Sequence, residues 1–298
     1  SRGYAPYPVK LEKGVGVEVL ALGAEQKNTF CFLRGSHAFM GQHIGDMDSR
    51  EALEHYEEAM ATMRRLFDLS PRLVAHDPHP EYITTQLAAE CGLPRVGVQH
   101  HHAHIVSCMA DNGLEGEVIG VSWDGTGYGT DGTVWGGEFL LCDEEDFKRA
   151  AHLITYPMPG GEVCVKELWR MAFGVLWEVC ADEAEAVGFF DGIFADRPGE
   201  AERLARQISG GFNTPLTSSA GRVFDAAAAL IGLRTRALYE GQAACELEAV
   251  AERKTSPFPY GLDTGVRPWR LDTRPLFSAL LAEAGRGADI SGIAGSFH

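Results

Sequence analysis

The chain has 298 residues, 45% of them hydrophobic, which is enough apolar side chain for two ordinary cores. Its 26 Lys and Arg against 42 Asp and Glu leave a formal charge of −16, which repels phosphate backbones and argues against sequence-independent nucleic-acid binding. Seven single cysteines with no CxxC pair, and no apolar run long enough to span a bilayer, point to a reducing, cytoplasmic setting rather than a disulfide framework or a membrane protein.

Residues 1–14 carry two prolines and little periodicity, and read as a linker. Residues 17–23 read as a strand, 24–28 as a polar turn and 29–33 as the returning strand, with 38–40 as a third strand. Helical spacing predicts a helix over 51–67. A short buried strand at 72–75 ends at His76-Asp77-Pro78, and a helix over 82–91 and a strand at 96–98 follow. After Gly113 the pattern starts again: strand 118–123, glycine-rich turn 124–132, returning strand 134–142, third strand 151–156, helix 165–179. Helices rich in alanine are expected over 200–208, 223–231 and 242–251, and residues 288–298 end without a capping element. Two copies of strand, turn, strand, strand, helix predict a duplicated two-lobed α/β fold. Lobe one would cover 15–115 and lobe two 116–298, the second helix-rich and incomplete.

The chemistry concentrates after residue 98. In Gln99-His100-His101-His102-Ala103-His104, four imidazoles in five positions cannot all be core residues. On a helix, His100 and His104 share one face a turn apart, so two ring nitrogens can converge on one metal ion. Asp124 falls where the apolar run 118–123 breaks into glycines, the usual end of a strand, and its carboxylate is a candidate third ligand. Two His and one carboxylate with an open position suit Fe(II) or Zn(II). A surface histidine cluster is the simpler alternative, and His101 and His102 are either outer donors or surface groups.

Gly125, Thr126 and Gly127, with Gly136 and Gly137 in the returning strand, mark close backbone approach and a candidate phosphate cradle, or else a flexible hairpin. The corresponding turn in lobe one supplies Lys27 and Asn28, a cation and an amide where an anion could lie. Gly160 and Gly161 precede a helix and form either an anion site or a chain reversal. Ser218-Ser219 opens a helix with N-cap chemistry, and Arg222 and Asp225 would form an ordinary surface pair one turn apart.

These motifs, together with Leu22 to Phe30, Gln42-His43-Ile44-Gly45-Asp46, Trp135-Gly136-Gly137-Glu138, Trp169-Arg170, Ser218 to Asp225 and Tyr239 to Ala244, resemble the C-terminal region of the HypF hydrogenase-maturation carbamoyltransferases. The resemblance runs over nearly the whole chain in family order. It implies an actin-like (ASKHA) fold, a divalent metal held by His100, His104 and Asp124, and ATP or carbamoyl-adenylate as nucleotide. It extends the nucleotide-binding candidates to Ser219, Gly221, Asp225 and Gly241. It also implies that the family's acylphosphatase-like, zinc-finger and YrdC-like regions precede this one. A glycine-rich segment with one more aspartate ligand, and a Ser-Gly-Gly loop before it, would follow His298. The implied reaction passes a carbamoyl group to the C-terminal cysteine of a HypE-type partner, with no covalent nucleophile from this chain, and a truncated chain could be inactive alone. Two other readings stay open: a metal-dependent hydrolase, although no glutamate follows the first histidine as in HExxH, and a non-catalytic nucleotide-binding docking module.

Overall fold

The computed structural model describes residues 7–253 and 255–298, and the chain divides into two units, 1–116 and 117–298. In the first unit, β1 (Val9–Ala21) and β2 (Cys31–Met40) form an antiparallel hairpin, followed by α1 (Arg50–Leu66), β3 (Leu73–His76), α2 (Ile83–Glu90), β4 (Arg95–Gly97) and α3 (His100–Asp111). The sheet order is β2-β1-β3-β4, with β3 and β4 parallel to β1 and to each other respectively. Helix α1 starts where Ser49 accepts the Ala52 N–H (3.1 Å), and it lays Tyr56 and Met63 against Leu22, Phe30, Phe32 and Val74. The Tyr56 hydroxyl donates to the Leu22 carbonyl at 3.0 Å, so the buried ring keeps its polar tip satisfied.

Two expectations for this unit are corrected. Residues 9–14, read as linker, are the first part of β1. Residues 38–40 are not a third strand but the end of β2, because β2 stays paired with β1 past Gly35 (φ +58°) as far as Ala38 opposite Val9, while the extra residues of the irregular register lie on β1.

The second unit contains β5 (Val118–Tyr128), β6 (Val134–Cys142), β7 (Phe147–Leu153), β8 (Tyr156–Pro157), α4 (Val163–Lys166), α5 (Leu168–Val179), α6 (Glu183–Ile193), α7 (Glu200–Ser209), β9 (Leu216–Thr217), α8 (Ala220–Leu230), α9 (Gln242–Val250), β10 (Gly261–Asp263), β11 (Trp269–Asp272), α10 (Arg274–Gly285) and α11 (Ile290–Phe297). Its sheet runs β10-β11-β7-β6, with β5 antiparallel to β6, and the core gathers α5 and α8 with side chains from α6, α7, α9 and α10. The expected turn at 124–132 is shorter than predicted. Trp123 faces Gly137 and Gly127 faces Trp135, so four steps on β5 match two on β6, and residues 124–126 form a bulge inside the strand. The expected helix 165–179 breaks at Glu167 (φ −103°, ψ 79°) into α4 and α5. Residues 290–297, for which the sequence suggested no element, form α11, whose Ile293 and Ala294 are buried and whose Phe297 packs edge-on to Phe224.

On β5 the usual alternation is inverted. Ile119, Val121 and Trp123 are 74%, 54% and 59% exposed, while Gly120 and Ser122 face inward. Small inward residues let the strand sit close to α8, and the bulky residues are left on the outer face of the sheet.

Glycine in α5 has a packing reason. A Cβ on Gly174 would lie 2.1 Å from the Pro157 carbonyl oxygen of β8, whereas one on Gly188 in α6 meets nothing within 4 Å. Gly-to-Ala in a helix ordinarily gains about 1 kcal/mol. Gly188→Ala is expected to raise the thermal midpoint and Gly174→Ala to lower it; the same sign for both would refute the packing assignment.

Candidate functional site

Helix α3 begins at His100 because Gln99 is its N-cap: its backbone is extended and its Oε1 accepts the His102 N–H at 2.9 Å. The helix buries His101 and His102 along with Ile105 and Met109, and leaves His100 half-buried and His104 exposed. His100 Nε2 and His104 Nε2 lie 3.2 Å apart. Two nitrogens each about 2.0–2.1 Å from one tetrahedral ion stand roughly 3.3–3.4 Å apart, so the pair has the bite of a single ion. The i, i+4 spacing is what brings the rings together.

Behind His100 stands a residue that sequence spacing did not single out. Asp77 is buried, and its Oδ2 accepts a hydrogen bond from His100 Nδ1 at 2.7 Å. Its Oδ1 accepts the His79 backbone N–H at 2.9 Å. A carboxylate only accepts, so Nδ1 carries the proton, and in the neutral ring Nε2 keeps its lone pair toward His104. Asp77 and His100 are 23 residues apart, yet they follow the carboxyl ends of neighbouring parallel strands, where His76 of β3 pairs with Gly97 of β4. The readable signal was a carboxylate directly after a buried strand; the pairing that makes it useful was not in the sequence pattern.

The turn between β1 and β2 holds Lys27 and Asn28. Lys27 is exposed at φ +48°, and its N–H donates to Asp46 Oδ1 at 2.9 Å. Asn28 is only 2% exposed. Its Nδ2 donates to the Leu22 carbonyl (3.0 Å) and to that of Ala24, and its backbone bonds Ile44 and Gly45. Its side-chain Nδ2 is engaged in closing this turn from inside.

In the second unit, Asp124 opens the β5 bulge and its Oδ1 accepts the Gly125 N–H at 2.6 Å. Thr126 follows in the same bulge, and Gly127 resumes the ladder opposite Trp135. The glycines here let three backbone segments touch. A Cβ on Gly136 (φ +154°) would lie 2.6 Å from the Asp124 carbonyl, one on Gly137 2.3 Å from that of Ser218, and one on Gly221 2.9 Å from Gly125 Cα. Ser219 Oγ lies 2.9 and 2.6 Å from the carbonyls of Asp124 and Gly125 and accepts the Arg222 N–H at 3.1 Å, capping α8. The close approach expected at Gly136 and Gly137 is therefore to the protein's own backbone at the start of α8.

Glu138, the last residue of the Trp135-Gly136-Gly137-Glu138 motif, is the hub of this junction. It is fully buried and accepts hydrogen bonds from Arg149 Nε (2.6 Å), from the Ser218 hydroxyl, and from the Gly136 and Gly137 N–H groups (3.3 Å each). Arg149 also reaches Asp131 at 3.0 Å and lies 4.0 Å over the Trp135 ring. Burial raises the Asp131 pKa, but hydrogen bonds from Thr133 and Trp135 and the Arg149 charge outweigh it and hold the carboxyl below its ordinary range.

Arg222 and Asp225, expected as a surface pair, are both buried, with Nε to Oδ2 at 2.6 Å, because α8 runs through the core. Burial pushes the Asp225 carboxyl up, against the pull of Arg222. Arg222 also reaches the Gly125 carbonyl at 3.2 Å. Gly241 takes φ +76° as the N-cap of α9, a backbone state that favours glycine. Gly160 and Gly161 donate their N–H groups to the carbonyls of Asn213 (2.8 Å) and Met158 (2.9 Å). Those amides are bonded within the chain itself, which supports the chain-reversal alternative for the turn before the four-residue α4. All seven cysteines are free thiols, and among the described residues no helix is long and apolar enough to cross a membrane.

Known proteins resemble this chain in sequence and in fold. Residues 15–111 match the family model described as the HypF Kae1-like domain, and residues 120–298 match that of the carbamoyltransferase Kae1-like domain, second subdomain. The chain is 45% identical over 256 residues to carbamoyltransferase HypF2 of Cupriavidus necator, covering 85% of this chain and 31% of that protein. It is 37% identical over 312 residues to carbamoyltransferase HypF of Synechocystis, covering 100% and 40%. A crystal structure of full-length HypF in a phosphate- and nucleotide-bound form superposes with a TM-score of 0.94 at 41% identity, covering all of this chain and 38% of that one. The chain thus spans two fifths or less of these relatives. With both of its units matched to consecutive parts of one architecture, the chain belongs to the HypF family and corresponds to its Kae1-like region.

Proposed function

We propose that this chain is the carbamoyl-transferring part of a HypF-type enzyme, within an actin-like two-lobed fold and a reducing, cytoplasmic setting. The observation that carries the reading is the His100–His104 pair, with ring nitrogens 3.2 Å apart and His100 oriented by a buried carboxylate. His100 and His104 are proposed to hold a divalent iron or zinc ion with Asp124 as a further ligand. All three are borderline or hard donors that suit either metal. Bound there, the ion would supply Lewis-acid polarisation of a carbamoyl carbonyl or phosphate oxygen.

The protein's own groups do the rest. The partly exposed residues Gly125, Thr126 and Gly221, backed by the buried Gly127, Gly136, Gly137 and Ser219, are proposed to form the edge that admits ATP or carbamoyl-adenylate, with Lys27 and Gly241 as further contacts. A relative at 41% identity was crystallised with phosphate and nucleotide bound, which supports this choice of ligand. In the proposed step, a partner thiolate, the C-terminal cysteine of a HypE-type protein, attacks the carbamoyl carbon. The carbon–oxygen bond to the adenylate phosphate breaks, AMP leaves with the electron pair, and an S-carbamoyl cysteine results. The attacking sulfur comes from the partner, so this chain supplies no covalent nucleophile. Its glycine-lined edge supplies orientation.

The test is made in the longer HypF-type protein. His100→Ala and His104→Ala are expected to remove the bound metal and abolish carbamoylation of the acceptor cysteine, read by metal analysis and by intact mass of the partner. Transfer at the parental rate in the double variant would refute the metal-dependent reading.

A further inference from the structure

We infer that Asp77 is the positioning residue of the histidine pair: it fixes the tautomer and ring angle of His100 so that Nε2 is ready for a metal ion before the ion arrives. The inference rests on the reading of His100 and His104 as ligands and deepens it by assigning a residue that neither the sequence pattern nor the comparisons single out.

Four contacts hold Asp77 in place. Its carbonyl accepts from the Thr85 hydroxyl and from His76 Nδ1, each at 2.7 Å. Its Oδ1 is bonded to the His79 N–H at 2.9 Å, which leaves Oδ2 aimed at His100 Nδ1, 2.7 Å away. The next ring on the chain, His79, is itself held by stacking on Tyr82 at 4.1 Å between centroids. A carboxylate buried this way and anchored through its backbone is a rigid acceptor, unlike an exposed side chain that finds the imidazole only part of the time. Ligating histidines commonly donate their second N–H to such a group, which raises ligand basicity and removes the cost of ordering the ring. Because His104 is exposed and His100 is not, the preformed half of the pair is the half that Asp77 controls.

The experiment uses the chain as it is, with Zn(II) as probe. Affinity is measured by competition with a chromophoric chelator, and the His100 tautomer by nitrogen NMR of the metal-free protein. Asp77→Ala is expected to weaken Zn(II) binding by about 10- to 100-fold and to scramble the His100 tautomer. Asp77→Asn, which keeps an acceptor oxygen without the charge, is expected to fall between. Thr85→Val removes one of the anchors of the Asp77 backbone but leaves the carboxylate, and it is expected to lose clearly less affinity than Asp77→Ala. An equal loss in Thr85→Val would overturn the inference, since Asp77 would then be only a loop anchor. If His104→Ala loses binding while Asp77→Ala stays within about twofold of the parent, the inference fails and the ligand reading stands. If the parent binds no Zn(II), or binds it as well without His104, the ligand reading fails and takes the inference with it.

Discussion

Replacing Glu138 with alanine is expected to lower the melting temperature by roughly 10 °C, the combination of about 3–5 kcal/mol for breaking a buried ion pair and about 2–4 °C per kcal/mol for a unit of this size. The carboxylate is fully buried, and its loss strips the acceptor from Arg149, from the Ser218 hydroxyl and from two glycine amides. Arg149 is itself only 13% exposed, so water cannot fully replace the missing partner. The remaining contact to Asp131 keeps the effect nearer the lower end. The double variant Glu138→Ala, Arg149→Met removes the stranded cation as well and is expected to recover about half of the loss. Thermal unfolding by circular dichroism measures both. A single variant that melts with the parent would show that the network does not hold the junction between β6 and α8.

Gly137→Ala acts on the same junction by volume. The added carbon would sit 2.3 Å from the Ser218 carbonyl oxygen and 2.6 Å from Leu153 Cδ1. The leucine can change rotamer, but the backbone carbonyl has little freedom, because the Ser218 N–H is bonded to the Val134 carbonyl at 3.0 Å. Overpacking of this kind costs about 1–3 kcal/mol, and displacement of a backbone segment places the variant at the upper end. The urea midpoint is expected to fall with the slope unchanged, since the surface exposed on unfolding is the same. The variant is also expected to bind nucleotide more weakly, because Ser219 and the β5 bulge would move apart. An unchanged midpoint would mean that the hairpin and α8 can separate at no cost.

Local patterns in the sequence carried much of the architecture. Helices α1, α2, α7, α8 and α9 and strands β3, β4 and β6 stand close to where periodicity placed them, because burial on one face at a period of 3.6 or 2 is written into neighbouring residues. The same periodicity paired His100 with His104. What failed depended on distant partners. The β5 bulge, the continuation of β2 past Gly35 and the short strands β9, β10 and β11 exist only because another strand lies beside them. Helix α6 has two buried residues in eleven, too few to mark a face by period alone.

The same division governs the functional residues. By itself the sequence determined the family, the two α/β segments, the histidine pair and the glycine motifs, all of which are set by residues within a few positions of one another. Tertiary structure alone decided that Asp77 stands behind His100, that Asn28 and the Arg222–Asp225 pair are internal, that the amides of Gly160 and Gly161 are used by the protein, and that Glu138 ties β6 to α8. The reason is physical: a hydrogen bond between residues 23 or 80 apart depends on which strand ends and helix starts the fold brings together, and no local periodicity records that.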